Sequence, residues 1–253
     1  MISLLCNVRV EGNPNHNLGL LLDSLAKKTK NTDNIELLIK YDLDDVKFMI
    51  NHFNIYPFSI ASYSAPRWRG YADLHLGVQY LMQFVDERST IVGAVCDDFE
   101  TIMQDWDEVL EQAAGDKEYF ILHARKSYYD MGNLRDATFD EVPFWSKKLI
   151  YAIGNNFHTY ALDAYSIILE HYLKADWGID IGIRYGHPIF DRKICGEDTE
   201  NGSRYVNERE EMFKFLDTLY FRNIIKAQAE NIALRIGVKD DSPREKDLSL
   251  SRS

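Results

Sequence analysis

Thr90-Ile91-Val92-Gly93-Ala94-Val95-Cys96-Asp97-Asp98-Phe99 is the stretch that decides how this chain folds: an apolar run rich in β-branched residues that stops at two adjacent carboxylates. A short apolar run with a polar end reads as a strand buried on both faces. Ile2 to Val8 has the same character, and Ile35 to Tyr41 repeats it before the acidic turn Asp42-Leu43-Asp44-Asp45. Helical spacing fills the intervals. Leu18, Leu21, Leu22 and Leu25 recur behind Asn13, Pro14 and Asn15, which suit a helix start, while Leu74, Val78, Leu81, Met82 and Val85 line one face of a second helix. A further strand is expected near Asn54 to Ile60, leading into a polar loop that holds Pro66, Arg67, Trp68, Arg69 and Gly70. Strands separated by helices of this length predict a largely parallel α/β sheet with right-handed crossovers, whose ligands bind beyond the carboxyl ends of the strands. The acidic and arginine clusters fall at those ends.

The second half is less regular. Residues 125 to 146 combine Arg125, Lys126, Gly132, Pro143 and Trp145 with little periodicity, as an acceptor-side lid would. Asp163 to Leu173 and Trp177 to Tyr185 read as helical, His187 to Lys193 as a strand, and Asn207 to about Leu234 as a long helix. One domain spanning residues 1–238 is expected, and the polar tail, 239–253, should be disordered.

Composition narrows the function. The net charge of −11 argues against broad affinity for nucleic acid, which needs Lys and Arg to neutralise phosphates. An acidic protein binds a diphosphate only where a metal ion or a local arginine group reverses the sign of the field. Cys6, Cys96 and Cys195 are odd in number and far apart, forming neither a disulfide framework nor a zinc motif, and suit a reducing compartment. No window holds the roughly 18 apolar residues of a membrane span. A cytoplasmic location is the expectation.

Asp97 and Asp98 supply the hard oxygen ligands that suit Mg²⁺ or Mn²⁺, an ion that keeps several waters and bridges protein to phosphate. Arg67 and Arg69 suit the diphosphate itself, through paired hydrogen bonds. The plainer alternatives are helix caps and solvated side chains, since aspartate is favoured at helix starts. Taken in order, Asn7-Val8-Arg9, Tyr41-Asp42-Leu43-Asp44-Asp45, Arg69-Gly70-Tyr71-Ala72-Asp73-Leu74-His75, Cys96-Asp97-Asp98-Phe99 and Trp106-Asp107 resemble the family 2 glycosyltransferases, small bacterial and phage-type members in particular. The likeness covers roughly Ile2 to Leu110. It implies a GT-A (Rossmann-like) domain that moves a sugar from a nucleoside diphosphate sugar, UDP favoured, to an acceptor hydroxyl on a glycan, lipid-linked sugar or protein, with inversion. Asn7, Arg9, Asp42 and Asp44 would then meet the base and ribose, and Asp98, helped by Asp97, the metal.

Inverting transfer needs a carboxylate to take the acceptor's proton. Lys174-Ala175-Asp176-Trp177-Gly178 resembles the family's Glu-Asp motif with alanine in place of the glutamate, which nominates Asp176, with Asp198 in reserve. Relatives often supply a metal-binding histidine after the strand that follows. Here that region reads Arg192-Lys193-Ile194-Cys195, and the nearest histidine, His187, precedes the strand. A nucleotidyltransferase is a competing reading, disfavoured because Val8-Arg9-Val10-Glu11-Gly12-Asn13 has a single glycine where a phosphate loop would have several. A nucleotide-binding protein that kept the fold without the chemistry is another.

Overall fold

A computed structural model describes residues 1–11, 16–48, 55–68, 73–124, 142–158, 162–192, 210–211 and 214–237. Its central sheet has seven strands: β1 (Ile2–Val8), β2 (Ile35–Asp42), β3 (Ser59–Ala65), β4 (Ile91–Cys96), β6 (Ile121–His123), β7 (Phe144–Ser146) and β8 (Gly182–Arg184). A two-stranded ribbon, β5 (Phe99–Thr101) with β9 (Phe190–Arg192), stands beside it. The order across the sheet is β3-β2-β1-β4-β7-β6-β8, and only β7 runs against its neighbours. Six carboxyl ends therefore share one edge. The helices are α1 (Leu18–Lys28), α2 (Leu74–Leu81), α3 (Trp106–Ala114), α4 (Lys147–Ala152), α5 (Leu162–Trp177) and α6 (Leu219–Ile236).

Local chemistry explains the pieces. Asn17 caps α1 by accepting from the Leu20 amide at 3.3 Å, and Leu18, Leu21, Leu22 and Leu25 are buried against the sheet. That packing belongs to a core shared by α1, α3 and one sheet face, in which Trp106 is fully buried and its indole N–H donates to Thr29 Oγ1 at 3.0 Å. The opposite face is covered by α2, α4, α5 and α6. Where β4 meets the reversed β7, Gly93 pairs with Phe144, and a Cβ at Gly93 would lie 2.6 Å from the Phe144 ring, so only glycine fits.

Three expectations need correction. The third strand begins at Ser59, after residues 55–58 in which Pro57 has no N–H to give the ladder, and β3 pairs with β2 from Glu36↔Ser59 to Asp42↔Ala65; Asn54 lies outside the described residues. Trp177 to Tyr185 is not a helix: α5 ends at Trp177, and Gly178, at φ +66°, and Ile179 donate back to Lys174 and Leu173. This left-handed cap stops the helix and releases the chain into β8. Phe144–Ser146, expected to be irregular, is β7. The proposed tail and most of the proposed lid lie outside the described residues, as do Arg69, Gly70 and Asp198.

Candidate functional site

Both aspartates that follow β4 are buried, Asp97 at 5% exposure and Asp98 at 4%. Asp97 Oδ2 lies 2.6 Å from His16 Nδ1, and the Asn17 amide donates to the Asp97 carbonyl at 3.1 Å. The start of α1 is thus tied to the turn after β4. Burial pushes the Asp97 carboxyl up and the neighbouring Asp98 charge adds to that, against the lowering effect of His16 and the Arg9 amide. Two partly dehydrated carboxylates side by side form a donor set of the hard-oxygen type that suits Mg²⁺ or Mn²⁺. Among the described residues, no group of three or more His, Cys, Asp or Glu side chains is arranged to hold an ion, so water and substrate phosphates would have to complete its shell.

A second cluster joins the ends of β1, β2 and β3. Arg9 Nη1 donates to Asp44 Oδ1 at 2.8 Å and to Asp42 Oδ2 at 3.4 Å. Arg67 Nε lies 3.9 Å from the same Asp42 oxygen, while the buried Lys40 ammonium binds the other. Arg9 holds the exposed Asp44 carboxyl below its ordinary value. Asp42 is thus the hub of three cations. Asp45, fully buried, accepts from the Val10 and Glu11 amides at 2.5 and 3.1 Å and pins the chain leaving β1. Asn7 turns toward α2, donating to the Leu74 carbonyl at 3.2 Å. Its carbonyl oxygen fills the space where a Cβ of Gly77 would sit, 1.8 Å away.

Asp176 stands at the wrong end of the molecule. Because α5 ends where β8 begins, and the Ile181 carbonyl accepts from the Ile121 amide, the last turn of α5 lies at the amino edge of the sheet. Asp176 is exposed there, remote from Asp97 and Asp98. The other end of α5, toward the carboxyl edge, carries Asp163, half-buried in the first turn. The two are thirteen helical steps apart, about 20 Å along the axis at roughly 1.5 Å per residue. Asp163 was recoverable from sequence as the acid opening a helical run that closes at Gly178. His187 is exposed, and its ring meets Tyr185 edge-on. The antiparallel ribbon sets Arg192 across from Phe99, so the chain nearest Asp98 is the Arg192 end of β9 and not His187.

Sequence reading also missed a buried group beneath the edge. Glu170 on α5 accepts from Arg184 at 2.8 Å and lies 3.2 Å from His123 Nε2, with His123 at the end of β6 and Arg184 at the end of β8. A Cβ at Gly182 would fall 2.3 Å from Glu170 Oε1.

No family model and no curated protein sequence matches this chain. Solved structures do. Residues 1–349 of TarS from S. aureus superpose with a TM-score of 0.53 at 11% identity, over 93% of this chain and 72% of that one. The same protein in complex with UDP-GlcNAc gives 0.54 at 12%, over 90% and 71%. The mannosyltransferase PcManGT from Pyrobaculum calidifontis, in complex with GDP-Man and Mn2+, gives 0.54 at 13%, over 92% and 72%. At these identities the likeness is one of fold, and the fold is the GT-A fold expected from the sequence.

Proposed function

We propose that the chain is a metal-dependent inverting glycosyltransferase that moves a sugar from a nucleoside diphosphate sugar, UDP favoured, to an acceptor hydroxyl. The observation that carries this reading is the buried Asp97–Asp98 pair at the carboxyl edge of a GT-A sheet, beside the Arg9–Asp42–Asp44–Arg67 cluster. The nucleoside lies along the ends of β1 to β3 and the diphosphate near β4. Asp98 and Asp97 would hold Mn²⁺ or Mg²⁺, which would supply neutralisation of the charge on the departing diphosphate. Asp163 takes the acceptor's proton as the acceptor oxygen bonds to the sugar's anomeric carbon and the bond from that carbon to the diphosphate oxygen breaks. Asn7 and the His16 contact hold the ends of β1 and β4 in place for this. The acceptor is a glycan, a lipid-linked sugar or a protein hydroxyl. Three widely spaced cysteines without a disulfide framework suit a cytoplasmic setting, and among the described residues no helix is long and apolar enough to cross a membrane.

Calorimetry with UDP, GDP and dTDP in the presence of Mn²⁺, paired with donor hydrolysis assays on the corresponding sugars, tests the proposal. Binding of one nucleotide and slow release of its sugar are expected, and silence across the whole panel refutes it. A nucleotide-binding protein without turnover is the second reading, favoured by the His16 contact that already occupies one oxygen of Asp97. Tight Mn²⁺-dependent binding with no hydrolysis or transfer over a broad acceptor screen selects it.

A further inference from the structure

Trp68 stands just past the end of β3 with φ +51°, a backbone conformation a bulky L-residue adopts only under constraint. The constraint is visible. The Leu43 amide donates to the Ala65 carbonyl at 3.0 Å, closing the turn after β2 onto the end of β3, and Arg67 reaches back to Asp42. One face of the Trp68 ring lies over the Lys40 ammonium, 5.2 Å from the ring centroid. Lys40 is itself buried and fixed by Asp42, so the ring rests on an anchored cation. Yet 41% of the residue remains exposed, an unusual use for the largest side chain in the code. A strained backbone that holds a flat aromatic half in water, with one face supported, presents the other face to a ligand.

We propose that the exposed face of Trp68 is the platform on which the nucleobase of the donor stacks. This rests on the nucleotide-sugar reading above and names the residue that carries its base. The spacing agrees: β3 and β4 are three strand intervals apart, about 14 Å at roughly 4.8 Å each. That is comparable to an extended nucleoside diphosphate laid from base to terminal phosphate, with its diphosphate end at Asp97 and Asp98. Asp42, saturated by Arg9, Lys40 and Arg67, then acts as a positioning residue that keeps the cations and the platform in register, in place of reading the base directly.

The test compares UDP with inorganic pyrophosphate, which has the charge and no base, each titrated with Mn²⁺ into wild-type protein, Trp68→Ala and Trp68→Phe. Stacking on an aromatic side chain predicts that Trp68→Ala weakens UDP by about 10-fold or more while pyrophosphate binding stays within about 2-fold. Trp68→Phe should recover most of the UDP affinity. It should also abolish the quenching of tryptophan fluorescence by UDP, since Trp106 and Trp145 are buried in the core and Trp177 ends α5 at the opposite edge of the sheet. Unchanged UDP affinity in Trp68→Ala overturns the platform and leaves the function standing. Parallel loss of UDP and pyrophosphate overturns it as well, by showing that Trp68 serves only the charged cluster. Wild-type protein that binds pyrophosphate but no nucleoside diphosphate overturns both readings together.

Discussion

Strands β1, β2 and β4 are seven, eight and six residues long and pair in unbroken parallel register, whereas β6, β7 and β8 have three residues each. The first group is held by its own ladder and by apolar faces on both sides. The second has too few backbone bonds for that and borrows side-chain ties from α5: the Trp145 indole donates to Ser166 Oγ at 2.8 Å, and Glu170 joins β6 to β8 through His123 and Arg184. A sheet can thus carry a rigid half and a pinned half on one edge. In our reading the rigid half takes the nucleotide and the pinned half faces the acceptor.

The sharpest way to break this comparison is to separate chemistry from donor binding. Asp163→Asn should cut transfer by about 100- to 10,000-fold, the usual worth of a general base, with Mn²⁺-UDP affinity unchanged. Asp176→Asn should alter neither, and steady-state kinetics beside calorimetry would show whether the base belongs to the start of α5. Next in size is Asp98→Ala on the rigid side. It should weaken nucleotide binding in Mn²⁺ by about 100-fold or more while barely changing binding in EDTA, as measured by calorimetry under both conditions. Gly93→Ala strikes the seam between the halves, driving a methyl into the Phe144 ring. A cost of about 1–3 kcal/mol follows, seen as a melting point lower by several degrees. The smallest effect is the pH response of the pinned half. Burial would raise the Glu170 carboxyl, but hydrogen bonds from His123 and Arg184 outweigh it and leave the group below its ordinary value. Its contribution to stability is therefore complete above the unfolded value of about 4.3 and is lost as pH falls through the lower folded value. Urea midpoints at pH 7 and below pH 4 should differ less in Glu170→Gln than in the wild type.

The same contrast explains what could be read from sequence. Ile2 to Val8, Ile35 to Tyr41 and the run ending at Val95 announce themselves because strands buried on both faces are continuously apolar. Leu18 to Leu25 does so because one helical stripe faces the core. In the second half, Ile121–His123, Phe144–Ser146 and Gly182–Arg184 are too short for any period to register. In α5 every residue from Ala164 to Glu170 is buried, so no amphipathic stripe marks its orientation or its ends. Lys174-Ala175-Asp176-Trp177-Gly178 resembles a Glu-Asp motif that opens a helix, yet in the fold Gly178 closes the helix that carries Asp176. Arg9, Asp42, Asp44 and Arg67 were legible as residues of separate strand ends, and their ion pairing into one cluster was not. The His16–Asp97 and Glu170–His123 contacts join residues 81 and 47 positions apart, and no spacing in one sequence encodes such pairings.

Gly77 carries a last consequence. The absence of one methyl group on the middle of α2 is what leaves room for the Asn7 side-chain amide against the helix. A helix position with no ligand contact of its own therefore acts as a spacer gauge for the tip of β1, and any enlargement there would be transmitted, through a single carboxamide, to the alignment of Arg9 two residues on.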